Sequence, residues 1–156
     1  MGVRLRIVMG VMAGLILAGC SADYGIDQHG QKVPAAKVDG QWLVINYWAE
    51  WCAPCRKEIP ELNQLAEQGK TQGFRVLGVN FDGLRDAELA KASQALGVQY
   101  TVLADDPAPR LGLPRSDALP VTYIVDPDGK MREQLLGEQT AADVQARLSA
   151  LREEKQ

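Results

Sequence analysis

Apolar and polar positions alternate along this chain in a way that predicts strands and helices in turn. Gln41 to Trp48 is an almost unbroken apolar, β-branched and aromatic run, the pattern of a strand buried on both faces. Ala53 to Gln68 then carries Ile59, Leu62, Leu65 and Ala66 at helical spacing, with Gly69 as an expected C-terminal cap and Pro60 as an expected kink. Phe74 to Asn80 reads as a second buried strand. Asp86 is expected to cap a second helix that buries Leu89 and Leu96 and stops at Gly97. Tyr100 to Leu103 is a short third strand. Pro107, Pro109 and Pro114 punctuate the segment after it, and no regular structure is expected there. Val121 to Val125 and Met131 to Leu135 flank Asp126-Pro127-Asp128-Gly129, a turn signal that makes them an antiparallel hairpin. Thr140 with Asp143 forms a capping pattern ahead of a last helix whose inner face is Val144, Leu148 and Leu151. The sum is an α/β fold, a mixed sheet with helices on both faces, in one domain over residues 40–156.

The N-terminal segment has a different character. Arg4 and Arg6 precede an uncharged apolar run, Ile7 to Gly19, that falls short of the roughly 20 residues of a membrane span and has the proportions of a secretory signal. It ends in Leu17-Ala18-Gly19-Cys20, which resembles a bacterial lipobox. Residues 1–19 are therefore read as a lipoprotein signal peptide and Cys20 as the acylated new N-terminus. Several acyl chains, at about 0.8 kcal/mol per buried CH₂, would hold it to a membrane. Ser21, in place of Asp, slightly favours the outer membrane. Residues 20–39 are polar and glycine-containing and read as a lipidated tether and lead segment.

Composition narrows the function. With 17 basic and 20 acidic residues in 156, and no basic block interleaved with aromatics, nucleic acid is not an expected partner. The chain has three cysteines. Assigning Cys20 to lipid leaves Cys52 and Cys55, and a lone pair in an exported protein points to redox chemistry more than to a structural framework. Half a zinc site is the competing reading, but the one histidine, His29, lies in the polar lead segment and a second cysteine pair is missing. A purely structural disulfide is the other. No metal and no cofactor is expected.

Position supplies the chemistry. Cys52 falls where the first strand feeds the first helix, and there unpaired backbone N–H groups and the helix dipole favour a thiolate. Cys55 follows one turn later and can reach the same sulfur. Pro54 suits a helical first turn, where its missing N–H has no partner to lose. Attack by Cys52 on a disulfide, then by Cys55 on Cys52, gives thiol–disulfide exchange in either direction.

The stretch Trp48-Ala49-Glu50-Trp51-Cys52-Ala53-Pro54-Cys55-Arg56-Lys57-Glu58-Ile59-Pro60 resembles the active-site signature of thioredoxin-fold proteins, most nearly the TlpA/ResA-like group. The resemblance runs from about Gly40 to Leu148 and includes Leu119-Pro120-Val121-Thr122-Tyr123-Ile124-Val125-Asp126. It implies that Pro120 is a cis-proline facing the cysteines and that the Leu119 backbone pairs with a substrate strand. It implies that Glu58 is a carboxyl kept near the cysteines to hold and pass a proton; an exposed helix acid is the alternative. Asn46 stands where thioredoxin itself has a buried aspartate, which again favours the TlpA/ResA-like group. Trp48 is read as core, Trp51 as an apolar docking surface and Glu50 as an exposed loop acid. The implied activity is a thiol–disulfide oxidoreductase, a monomer on the periplasmic side of a bacterial membrane. It would reduce protein disulfides with electrons from an inner-membrane thiol donor, and cytochrome c maturation is one setting. A net oxidase or isomerase is the alternative in the same class. A thiol-based copper chaperone is the alternative in another, disfavoured because no histidine follows His29; a peroxidatic site is not resembled.

Overall fold

The computed structural model describes residues 23–155. Residues 1–22, with the signal segment, Cys20 and Ser21, lie outside the described residues. The core is a five-stranded sheet in the order β3-β2-β1-β4-β5. Its strands are β1 (Trp42–Trp48), β2 (Phe74–Asn80), β3 (Thr101–Leu103), β4 (Val121–Val125) and β5 (Met131–Leu136). β1 pairs in parallel with β2, and β2 with β3, while β4 runs antiparallel to both β1 and β5. All seven residues of β1 are buried, as a central strand covered on both faces requires.

Alternation along β1 divides the core. Leu43, Ile45 and Tyr47 face one side with Val79, Val121 and Tyr123. Trp42, Val44 and Trp48 face the other, against the long helices α1 (Ala53–Gln72) and α4 (Ala141–Glu153) and against α2 (Asp86–Ala95). The first side is covered by shorter pieces: a 3₁₀ turn at Ala35–Lys37 and the single-turn helix α3 (Ala108–Leu111). The lead segment also closes it, because Tyr24, Val33 and Val38 are buried against the sheet. From Asp23 onward it is therefore packed structure and not a loose tether. Its apolar residues are too widely spaced to show a period, which hid this in the sequence. Gln28 clips the segment to β3: its backbone N–H donates to Val102, its side chain accepts from Val102 N–H at 2.8 Å and donates to the Tyr100 carbonyl at 3.0 Å.

Three other expectations are corrected. α1 continues past Gly69 to Gln72 and is capped by Gly73 in the left-handed conformation, φ +70°, with Pro60 inside it. Asp86 does not cap α2 but is its first residue, at φ +48°, and Arg85 ahead of it makes no side-chain cap. The Asn80 carboxamide accepts the Leu84 N–H at 3.1 Å and fixes the approach to that helix. The proline-rich stretch does form the turn of α3, since Pro107 and Pro109 sit at and just inside its start, where no intrahelical N–H is lost. The Thr140 cap is present, accepting from Asp143 N–H at 3.1 Å. Among the described residues no helix is long and apolar enough to cross a membrane.

Candidate active site

Cys52 is the N-cap of α1, in extended conformation, and its Sγ accepts the Cys55 N–H at 3.3 Å. This is the place an N-cap oxygen normally takes, so the helix start is built around a sulfur. Cys52 and Cys55 are joined as a disulfide across a Cα–Cα distance of 5.3 Å. Both are buried, with Trp48, Ala49, Leu89, Ala92 and Val102 around them. Pro54 stands in the first turn, half-buried. Glu50 is exposed, and its carbonyl accepts from the Arg56 guanidinium, Nε at 2.8 Å, which ties the loop before Cys52 to the helix after it.

Trp51 is 63% exposed and still held in place. Its indole Nε1 donates to the Asp82 carboxylate at 3.0 Å, and its ring meets Phe81 edge-on at 6.4 Å. A cavity of about 570 Å³ opens beside Phe81, floored by Tyr47, Val79, Val121 and Tyr123. The Leu119–Pro120 bond is cis, Pro120 is buried, and Leu119 packs against the cysteine cluster. The elements thus bring Trp51, Cys52, Pro54, Cys55 and Leu119 together at one end of the sheet. Trp48 is core, and His29 lies in an exposed turn of the lead segment.

Glu58 is fully buried one turn after Cys55, so the exposed-acid alternative does not hold. Burial pushes its carboxyl up to about 7. The opposing effects are hydrogen bonds from Asn46 Nδ2 to Oε1 at 2.6 Å and from Gln139 N–H to Oε2 at 3.1 Å, while nearby Glu138 raises it further. Asn46 Nδ2 also donates to Thr122 Oγ1 at 3.1 Å. Tyr100 is buried on the same side, and burial, then Glu58, keeps its phenol protonated. Sequence reasoning missed Thr122, Gln139, Phe81 and Asp82. Thr122 had a signal, a hydroxyl in a buried strand run two residues after Pro120. Gln139 had none, since it acts here through its backbone.

A cysteine pair at a helix start, with the residue before a cis-proline packed on its cluster in a mixed α/β fold, defines a thioredoxin-fold thiol–disulfide oxidoreductase. The chain belongs to the AhpC/TSA family, whose model matches residues 18–134. It is 29% identical over 125 residues to the thiol-disulfide oxidoreductase ResA of Bacillus thuringiensis (strain Al Hakam), covering 80% of this chain and 72% of that one. Against ResA of Bacillus subtilis (strain 168) the identity is 27% over 114 residues, 73% of this chain and 63% of the relative. Among solved structures, a DsbF homologue from Corynebacterium diphtheriae superposes with a TM-score of 0.66 at 26% identity, over 81% of this chain and 82% of that one. A secreted thiol-disulfide isomerase from Corynebacterium glutamicum gives 0.62 at 28% identity, over 77% of each.

Proposed function

We propose that this oxidoreductase works as a reductase of disulfides in exported proteins, held on the periplasmic side of a bacterial membrane by lipid on Cys20, with the outer membrane slightly favoured by Ser21. The surroundings of the pair carry the direction: the carboxyl behind it is buried, and no cation stands between the cysteines. Strong thiol oxidants owe their potential to a stabilised thiolate in the reduced form. Here Ala53-Pro54 offers that thiolate neither charge nor a donor side chain, and Glu58 sets a negative charge within one helical turn of Cys55 whenever it ionises. Both features withhold stability from the reduced, thiolate form.

In the reducing direction the Cys52 thiolate attacks one sulfur of the substrate disulfide, forming a mixed disulfide and releasing the other sulfur as a thiolate that takes a proton. Glu58 receives the proton of Cys55. The Cys55 thiolate then attacks Cys52 Sγ, breaks the mixed disulfide and releases the second substrate thiolate. Two electrons pass to the substrate, and the protein is left as the Cys52–Cys55 disulfide. A thiol donor reaching the same periplasmic face would restore the dithiol by the same exchange. Trp51, Phe81 and the cavity beside them offer partner side chains an apolar seat, and the Leu119 backbone before Pro120 offers them a strand to pair with.

The deciding measurement is the reduction potential of the Cys52–Cys55 couple against a glutathione or dithiothreitol series. A value towards the thioredoxin end, about −270 mV, is expected; one near the strongly oxidising end, about −120 mV, would reverse the direction.

A further inference from the structure

Asn46 lies in the middle of β1, fully buried, on the strand face that α1 covers. Its Nδ2 donates to Glu58 and to Thr122, yet its Oδ1, equally buried, has no hydrogen-bond partner. An unpaired buried carbonyl is uncommon in a native interior and calls for a reason. Glu58 provides one, because a carboxyl that gains and loses a proton asks opposite things of its neighbours. As a carboxylate it only accepts, and each oxygen has a donor: Asn46 Nδ2 at Oε1 and Gln139 N–H at Oε2. As a carboxylic acid, one of its oxygens must donate. Oε2 faces a backbone N–H that cannot accept, so the proton belongs on Oε1, which faces Asn46.

We propose that Asn46 is the positioning residue for Glu58 in both protonation states, its amide donating to the carboxylate and, after a half-turn about its terminal torsion, accepting from the carboxylic acid. The half-turn exchanges Nδ2 and Oδ1, so the orphaned carbonyl oxygen becomes the acceptor that Oε1–H requires. Thr122 stays bonded to the amide through the exchange, while Nδ2 passes to the position where Oδ1 had no partner. Its hydroxyl accepts from Nδ2 in one state and donates to Oδ1 in the other, as only a group with both capacities does. Other titratable and charged groups stand near Glu58. Glu138, on the loop before α4, opposes its ionisation and itself lies 4.0 Å from Lys57. Glu61, on α1, accepts the Ala141 N–H at 3.0 Å. Tyr100 keeps its proton, and Cys55 is held in the disulfide. This inference rests on Glu58 as the proton carrier and adds what gives its Oε1 a partner both as an acceptor and as a donor.

The test is a pH titration of the oxidised, isotopically labelled protein by NMR from pH 5 to 9, reading the Glu58 carboxyl carbon and the Asn46 side-chain NH₂ group together. Both signals are expected to move with one midpoint, and the Asn46 signal is expected to go flat in Glu58→Gln. Asn46→Leu removes the stronger, charge-assisted bond and should raise the Glu58 midpoint by about one pH unit. Asn46→Asp, nearly identical in shape, should split the titration into two steps with one well above the wild-type midpoint, since adjacent carboxyls resist ionising together. A Glu58 that titrates beside a flat Asn46, or whose midpoint neither variant moves, overturns this inference alone. A Glu58 that does not titrate at all in that range overturns the proton-carrier reading with it.

Discussion

Glu58 sets burial against charge within a single side chain. Its carboxyl is raised from 4.5 to about 7, so between those pH values the native chain keeps a proton that the unfolded chain has released. Stability is then fully present below the unfolded value and falls as pH climbs through the window, by about 3 kcal/mol in total. Glu58→Gln keeps an amide able to donate and accept beside Asn46 and Gln139 but removes the titration. Chemical denaturation at pH 5 and pH 8 should therefore show the wild type losing about 2.5 kcal/mol relative to this variant. Parallel behaviour of the two would mean that the carboxylate is well solvated in solution. The cysteine pair was readable because its chemistry depends on two residues and one strand-to-helix junction. The state of Glu58 was not: it stands in the charged run Arg56-Lys57-Glu58, and what buries and bonds it includes Gln139, 81 residues further on.

The same contrast between local and distant causes governs the elements. Strands β1, β2 and β4 and helix α4 were legible because each carries its own apolar period or run. The end of α1 was misplaced because its apolar period stops at Ala66, while the helix itself runs on until Gly73 closes it onto the Gly69 carbonyl. Gly69 serves another purpose. A side chain there would begin 2.5 Å from the Phe74 carbonyl oxygen, so its absence lets the last turns of α1 lie against the start of β2. Gly69→Ala should cost on the order of 1–3 kcal/mol, as overpacking of a closed interior does, read from the denaturant midpoint at unchanged slope. An unchanged midpoint would show that helix and strand can separate there without loss. α2 was found but its first turn was misread. An aspartate before an apolar face suggested a cap, whereas the Asn80 carboxamide, from the preceding strand, fixes the chain's approach to that helix.

At the scale of the whole molecule, the packing of the lead segment decides how the site is presented. Tyr24 is already buried on the sheet, four residues after Cys20, and four residues extended reach at most about 14 Å. On the proposed anchor, the domain rides close against the membrane and does not range on a leash. Cys20→Ser should move the protein from the membrane fraction to the soluble one while leaving the reduction potential of Cys52–Cys55 unchanged; retention with the membrane would remove the anchor from the proposal. The segment's other attachment, Gln28, bears on how copies of the protein behave towards one another. An open sheet has two bare borders, and a bare border is a template on which a second chain can crystallise as a further strand. Gln28 occupies the β3 border with backbone and side chain together, and β5 carries Arg132 and Glu133 along the other. Both borders are thereby closed to a further strand, so copies of this protein are kept from growing on one another edge to edge.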